Sequence, residues 1–304
     1  MPPTLGIWIS ALRPKTLWAA VAPIVMASAM CHEAGLFHAP SFVVILLAAL
    51  LIQIGTNLAN DYFDFRKGSD TEDRIGPTRV SQAGLVRPEF VRSAFILVFL
   101  LAIILGSYLL VRGGWPILVI GLSSVLLGVL YTGGPRPLAY VGLGDVFAFL
   151  YFGPVAVAGT WYVQAVSWNP ATLLVGAAAG FFSAALLTVN NFRDIEADRQ
   201  AGKKTLAVRL GPGFARAEFL FCLGAAAIIP FLLVGLFAAP WWVLMASLPV
   251  VFRFPGFHKL MRQEPGASRE FGNSMNILLG EVGKLEMQYA LLFSVGWLVH
   301  WPGG

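Results

Sequence analysis

Charge is what this chain has least of. Only 12% of its residues are Asp, Glu, Lys or Arg, against 57% hydrophobic, and its mean hydropathy is +0.73. That balance excludes a water-soluble globular domain, in which about 25% of residues are charged. Cysteine is also sparse: Cys31 and Cys222 fall near opposite faces of a bilayer, which argues against a disulfide, and two cysteines make no metal site. His32, His38, His258 and His300 are scattered without zinc spacing. Met1 to Leu12 lacks the basic start and small-residue cleavage site of a leader, and Arg13-Pro14-Lys15 directly precedes the first apolar run. Gly142-Leu143-Gly144-Asp145 lacks the third glycine and the strand–helix setting of a dinucleotide fingerprint. Asp145 suits a helix start, where a carboxylate favours the dipole, as well as it suits catalysis.

What the chain does have is long charge-free runs: 16–32, 34–60, 93–111, 113–135, 146–192, 219–252 and 287–304. A spanning helix needs about 20 apolar residues, with roughly 17 a minimum. The run 146–192 holds two helices, broken near Ser167-Trp168-Asn169-Pro170. The run 219–252 holds either one long helix or two short ones around Ala239-Pro240. Charge decides between them. With nine helices and the amino terminus inside, every Lys and Arg except Arg112 lies on the inner face. Eight helices would carry Arg253, Lys259, Arg262, Arg269 and Lys284 to the other side. Basic residues favour the cytoplasmic side, so the expectation is an all-α polytopic membrane protein, one domain over 1–304 with nine transmembrane helices. The net charge of +5 then serves mainly to orient the chain in a lipid bilayer, and no nucleic acid partner is expected. Residues 253–285 are expected along the inner surface, anchored by their basic residues or capping a cavity.

Against this apolar background two acidic clusters stand out, Asn60-Asp61-Tyr62-Phe63-Asp64 and Asn190-Asn191-Phe192-Arg193-Asp194-Ile195-Glu196-Ala197-Asp198. Each ends an apolar run, one in the second predicted helix and one in the sixth. Carboxylates so close to hydrocarbon are costly and mark functional positions. Both clusters contain Asn-x-x-x-Asp. Residues four apart share a helix face, about 6 Å apart along the axis, so Asn190, Asp194 and Asp198 are expected as one polar stripe and Asn60 and Asp64 as another. The next position in the first series is Gly68, with Asp70 displaced into the loop. Basic loops follow both: Arg74-Ile75-Gly76-Pro77-Thr78-Arg79 and Gly202-Lys203-Lys204-Thr205. The recurrence after four helices suggests two bundles whose stripes face each other at the cytoplasmic mouth of a central cavity.

Magnesium takes oxygen ligands, keeps several waters, and commonly binds one or two carboxylates plus substrate phosphates. Two facing stripes suit such ions bridging a diphosphate, with Asn60, Asp61, Asp64, Asp70, Asp194 and Asp198 as candidate ligands. Asp61, Asp73 and Glu196 serve equally well as helix-end caps. Lys67, Arg74, Arg79, Arg136, Lys203 and Lys204 are candidates to hold the diphosphate. So neutralised, diphosphate becomes a leaving group. On an allylic lipid its departure leaves a carbocation that an apolar, aromatic-lined cavity would shield. Gln53, Asn57, Tyr131 and Asn190 are placed to meet a polar acceptor, although Gln53 and Asn57 suit helix-to-helix hydrogen bonds as well.

At these residues the chain closely resembles the UbiA family of intramembrane prenyltransferases. The likeness rests on Leu12-Arg13-Pro14-Lys15-Thr16, on 57–84, on 131–145 and on 190–211, and it is greatest to the family's menaquinone branch. The family's first motif, Asn-x-x-x-Asp-x-x-x-Asp, reads here Asn60, Asp64, Gly68. The second, Asp-x-x-x-Asp, is intact as Asp194 and Asp198. The resemblance implies helices around a cavity that opens toward the membrane, magnesium as cofactor, and a bacterial inner-membrane location. It further implies transfer of a polyprenyl group from its diphosphate to 1,4-dihydroxy-2-naphthoate, with loss of carbon dioxide, giving demethylmenaquinone. Other branches prenylate 4-hydroxybenzoate, homogentisate, haem or chlorophyllide. Among unrelated classes, phosphatidyl-group transferases carry all their acidic ligands in one Asp-Gly-x-x-Ala-Arg segment, absent here. An ion-coupled transporter would place its carboxylates near the midplane at broken helices, and a scaffold has no need of paired acidic motifs.

Overall fold

The computed structural model describes residues 4–69, 75–76, 79–266 and 268–299, and among them the secondary structure is entirely helical. The helices are α1 Leu5–Leu12, α2 Trp18–Glu33, α3 Ala39–Arg66, α4 Pro88–Gly113, α5 Trp115–Leu130, α6 Gly144–Phe152, α7 Pro154–Ala165, α8 Ala171–Arg193, α9 Ile195–Gln200, α10 Leu206–Phe237, α11 Leu248–Met261 and α12 Arg269–Leu298. Short 3₁₀ turns cover Pro14–Thr16, Leu138–Tyr140 and Trp241–Ser247. The outer surface is apolar: Val111 is 89% exposed and Phe252 80%. Large aliphatic and aromatic side chains are stable at such exposure only against lipid, so this is an integral membrane protein.

Breaks fall where the residues require them. Pro40, Pro88, Pro116, Pro154 and Pro249 sit in first turns, where the missing N–H costs nothing. Gly114 turns α4 into α5 with φ +64. The predicted break before Pro170 appears, as does a break around Ala239-Pro240 that separates α10 from the turn leading to α11. The fifth predicted helix is itself broken at Gly153. A Cβ there would lie 2.5 Å from the carbonyl oxygens of Phe149 and Gly176, so the break lets α6–α7 press directly on the backbone of α8.

Each of the nine predicted segments is helical, but length and composition give a smaller set of spans. Among the described residues five meet both criteria: α3, α4, the joined α6–α7, α8 and α10. A sixth appears if α1 with its 3₁₀ turn is counted with α2, across a 52° bend. The rest fall short for physical reasons. Helix α5 has 16 residues and α11 has 14, while α12 has 30 but carries Glu270, Glu281, Lys284 and Glu286. Most of residues 253–285 form the end of α11 and the first half of α12.

One hydrophobic core joins α2, α7, α8, α10, α11 and α12, and a second joins α1, α3, α4 and α5. Between them lies a cavity of about 690 Å³. Its wall includes Ile103 of α4 and Leu122 of α5, which are 44% and 53% exposed.

Candidate active site

The carboxyl end of α3 supplies the first half of the site. Asn60 and Asp64 both line the cavity and are 7% and 1% exposed. Asn60 Oδ1 accepts from the Thr132 hydroxyl at 2.9 Å. Asp64 accepts from Arg79 Nη2 at 3.1 Å and from the Tyr140 hydroxyl at 2.9 Å. Helix α3 ends at Arg66, and Gly68, with φ +68, lies in the turn beyond it. The position where a third motif ligand would fall is therefore off the helix. Asp70 and Arg74, and Asp73 beside them, lie outside the described residues.

Asp61 departs from expectation. Its two carboxylate oxygens accept from the backbone N–H groups of Val80 and Ser81 at 2.9 and 3.0 Å, and it does not line the cavity. It anchors the loop that carries Arg79.

The second half differs from a continuous stripe. Helix α8 ends at Arg193, Asp194 has φ −98 and ψ 10, and α9 begins at Ile195. The bend turns Asp194 toward its own neighbour. Arg193 Nε and Nη2 donate to its two oxygens at 2.8 and 2.7 Å, and Arg193 Nη1 donates to Asn276 on α12 at 2.7 Å. Adjacent residues on an unbroken helix do not face each other, which is why sequence spacing did not suggest Arg193. Asn190, Asp194 and Asp198 all line the cavity despite the bend. Glu196 is exposed and pairs with Arg199 at 2.7 Å.

The two halves meet at Lys203. Its Nζ lies 3.5 Å from Asp64 and 3.7 Å from Asp198, and the side chain is nearly buried. One ammonium thus touches a carboxylate from each motif, and Asp64, Asp194 and Asp198 share one cavity. Of the other expected phosphate-binding cations, Arg79 lines the cavity, whereas Lys67, Arg136 and Lys204 are exposed and outside its lining. Lys67 instead donates to the carbonyls of Thr132 and Gly134 at 2.7 and 3.2 Å. Desolvation holds its ammonium below the ordinary lysine value, with Asp64 opposing and Lys203 adding to the shift.

Tyr131 lines the cavity. Burial raises its phenol above the ordinary value, Asp145, Asp64 and Asp198 raise it further, and Arg13 opposes them; it stays a neutral donor. The Gln53 and Asn57 side chains line the cavity too, but their amide nitrogens hold the bend between α1 and α2. Asn57 donates to the Leu12 carbonyl at 3.0 Å and to Thr16 Oγ1 at 3.4 Å, and Gln53 donates to the same hydroxyl at 3.5 Å. Arg13, beside that bend, has φ +53 and also lines the cavity. Sequence reasoning missed Arg13, Tyr140 and Arg193 as site residues. Each carried a signal only as part of a stretch behind the family resemblance: Leu12-Arg13-Pro14-Lys15-Thr16, 131–145 and 190–211.

Comparison with known proteins bears directly on this arrangement. The profile of the UbiA prenyltransferase family matches residues 20–280. The chain belongs to that family. It is 37% identical over 255 residues to the 1,4-dihydroxy-2-naphthoate octaprenyltransferase of Escherichia coli (strain K12), covering 81% of this chain and 82% of that one. It is 32% identical to the same-named protein of Haemophilus influenzae, covering 97% and 96%. Among solved structures, a UbiA homolog from Archaeoglobus fulgidus bound to GPP and Mg2+ superposes with TM-score 0.62 at 15% identity, over 96% of this chain and all of that one. A digeranylgeranylglyceryl phosphate synthase superposes with TM-score 0.60 at 15% identity, over 97% and 98%. The all-α polytopic architecture is thus the UbiA fold.

A divalent ion fits the donors a UbiA site offers here. Asn60, Asp64, Asp194 and Asp198 supply only oxygen, the ligand type of magnesium. Among the described residues no group of three or more His, Cys, Asp or Glu could hold an ion by itself, so completion must come from water and phosphate, as magnesium favours.

Proposed function

We propose that this chain transfers a polyprenyl group from polyprenyl diphosphate to 1,4-dihydroxy-2-naphthoate, releasing diphosphate and carbon dioxide and giving the prenylated quinol, the reduced form of demethylmenaquinone. The observation that carries the reading is the meeting of Asp64 and Asp198 at Lys203, on the wall of a cavity otherwise lined mainly by apolar side chains. The acceptor is supported by relatives that bear that acceptor's name across bacteria. The basic residues on one face favour an amino terminus in the cytoplasm and placement in the bacterial inner membrane.

Asn60, Asp64, Asp194 and Asp198 would hold magnesium, in keeping with a fold neighbour whose title names GPP and Mg2+. When bound, magnesium supplies fixed positive charge to the leaving diphosphate. The chain's own residues do the rest. Lys203 and Arg79 face the diphosphate and offset the charge that develops as the allylic C–O bond breaks with its electron pair on oxygen. The apolar wall keeps water from the allylic cation. Tyr131 and Asn190 face the acceptor ring, which donates an electron pair to form the new C–C bond. The ring carboxylate departs as carbon dioxide and returns its pair to the ring, so the anionic acceptor and the cation balance without a base.

Purified protein with magnesium, an allylic polyprenyl diphosphate and dihydroxynaphthoate is expected to release diphosphate and carbon dioxide and to form a prenylated quinol. A panel including 4-hydroxybenzoate and homogentisate sharpens the assay. Faster transfer to either, or solute movement without diphosphate release, would overturn the assignment.

A further inference from the structure

Tyr140 lies outside both acidic motifs and both basic loops, yet it touches each half of the site. Its hydroxyl donates to Asp64 Oδ1 at 2.9 Å and is 2.5 Å from the Ser69 hydroxyl. Its ring carries two ammonium groups, Lys67 Nζ at 4.7 Å and Lys203 Nζ at 5.0 Å from the centroid. Its backbone carbonyl accepts from the Lys204 N–H at 3.0 Å. The close approach is built in: a Cβ at Gly142 would stand 2.8 Å from the Lys204 carbonyl oxygen, and Gly142 has φ +76, a conformation that costs glycine little.

These contacts explain where Lys203 sits. A lysine committed to one carboxylate makes a charge-assisted bond of about 2.7–2.9 Å. Lys203 is instead shared at 3.5 and 3.7 Å between Asp64 and Asp198, with an aromatic face inside the roughly 6 Å range of cation–π attraction. The ammonium is held in place while keeping the capacity to donate to a third anion. A flexible four-carbon stem would otherwise lose considerable side-chain entropy on reaching that point.

We propose that Tyr140 is the positioning residue of the diphosphate subsite, its ring fixing the Lys203 ammonium between the two acidic motifs and its hydroxyl fixing Asp64. The inference rests on the prenyl-diphosphate reading given above. It concerns a residue that acts through Lys203 and Asp64, so it is tested by separating donor from acceptor effects.

The variants are Tyr140→Phe, which keeps the ring, and Tyr140→Leu, which removes it, with binding of inorganic diphosphate in the presence of magnesium read by calorimetry on detergent-purified full chain. Tyr140→Leu is expected to weaken diphosphate binding about tenfold and to raise KM for polyprenyl diphosphate to match, the increment of one cation–π contact in a desolvated site. KM for the acceptor should stay within about twofold. Tyr140→Phe should restore diphosphate binding to within about threefold of wild type. Equal losses in both variants, a parallel rise in both KM values, or unchanged binding in Tyr140→Leu would each overturn the inference while leaving the functional reading intact. Wild-type protein that binds no diphosphate would bring down that reading and this inference together.

Discussion

The two acid-bearing helix ends share a sequence pattern, Asn-x-x-x-Asp, and solve the same electrostatic problem differently. At the end of α3 the helix runs straight through Asp64, whose neutralising partners come from afar: Arg79 from the following loop, Lys203 from the second half of the chain, and the Tyr140 hydroxyl between them. At the end of α8 the helix bends at Asp194, which accepts from the preceding residue, Arg193, held by Asn276 of α12. Asp64 is therefore a junction of tertiary contacts, while Asp194 includes among its partners the residue that precedes it. Matching spacing in the two halves does not mean matching structure.

Four experiments probe that contrast, the largest effect first. Asp64→Ala is expected to lower kcat/KM by about 10³ or more, because it removes an ion ligand and strands Arg79 and Lys203. Asp194→Ala should also remove measurable turnover. The two should separate in stability. Losing one partner of a buried ion pair costs about 3–5 kcal/mol, and the Asp64 variant should lie at the upper end. Thermal melts in detergent that rank Asp194→Ala as the more destabilised would reverse the comparison. Lys203→Met should raise KM for polyprenyl diphosphate about tenfold, about 1.4 kcal/mol, whereas the exposed Lys204→Met should not. Equal effects at both lysines would show that total charge matters and placement does not. Asp61→Ala leaves two buried backbone N–H groups unpaired and should cost about 1–3 kcal/mol, with activity lost only as the Arg79 loop loosens. Arg136→Gln should stay within about 0.5 kcal/mol of wild type and leave both KM values unchanged.

Much of the architecture was legible in advance because hydrocarbon imposes simple rules. Charge-free runs placed the helical segments, and the breaks at Pro170 and around Pro240 were readable from local chemistry. The convergence of Asp64 with Asp198 followed from recurrence of the motifs. What escaped the sequence depends on geometry that spacing cannot carry. The stripe through Asn190, Asp194 and Asp198 assumed an unbroken helix, and the bend at Asp194 changes which side chains meet. Asp61 reads like any motif carboxylate until the loop bearing Val80 and Ser81 folds over it. Tyr140 ends a proline-rich turn, and its contacts with Asp64 and Lys203 arise only when distant segments are packed. Helix α12 begins well before the apolar run because Phe271, Met275 and Leu278 face protein, not lipid, so polar residues on its other side do not end it.

The apolar lining of the cavity, Ile103 and Leu122 among it, has a thermodynamic consequence. Moving a methylene group from hydrocarbon into water costs about 0.8 kcal/mol, which would accumulate to a prohibitive sum over dozens of carbons if the isoprenoid had to pass through an aqueous phase. Inside an apolar chamber, carbons arriving from among the acyl chains exchange one oily surrounding for another. Loading and discharge then carry little dependence on how many isoprene units trail behind the reacting end.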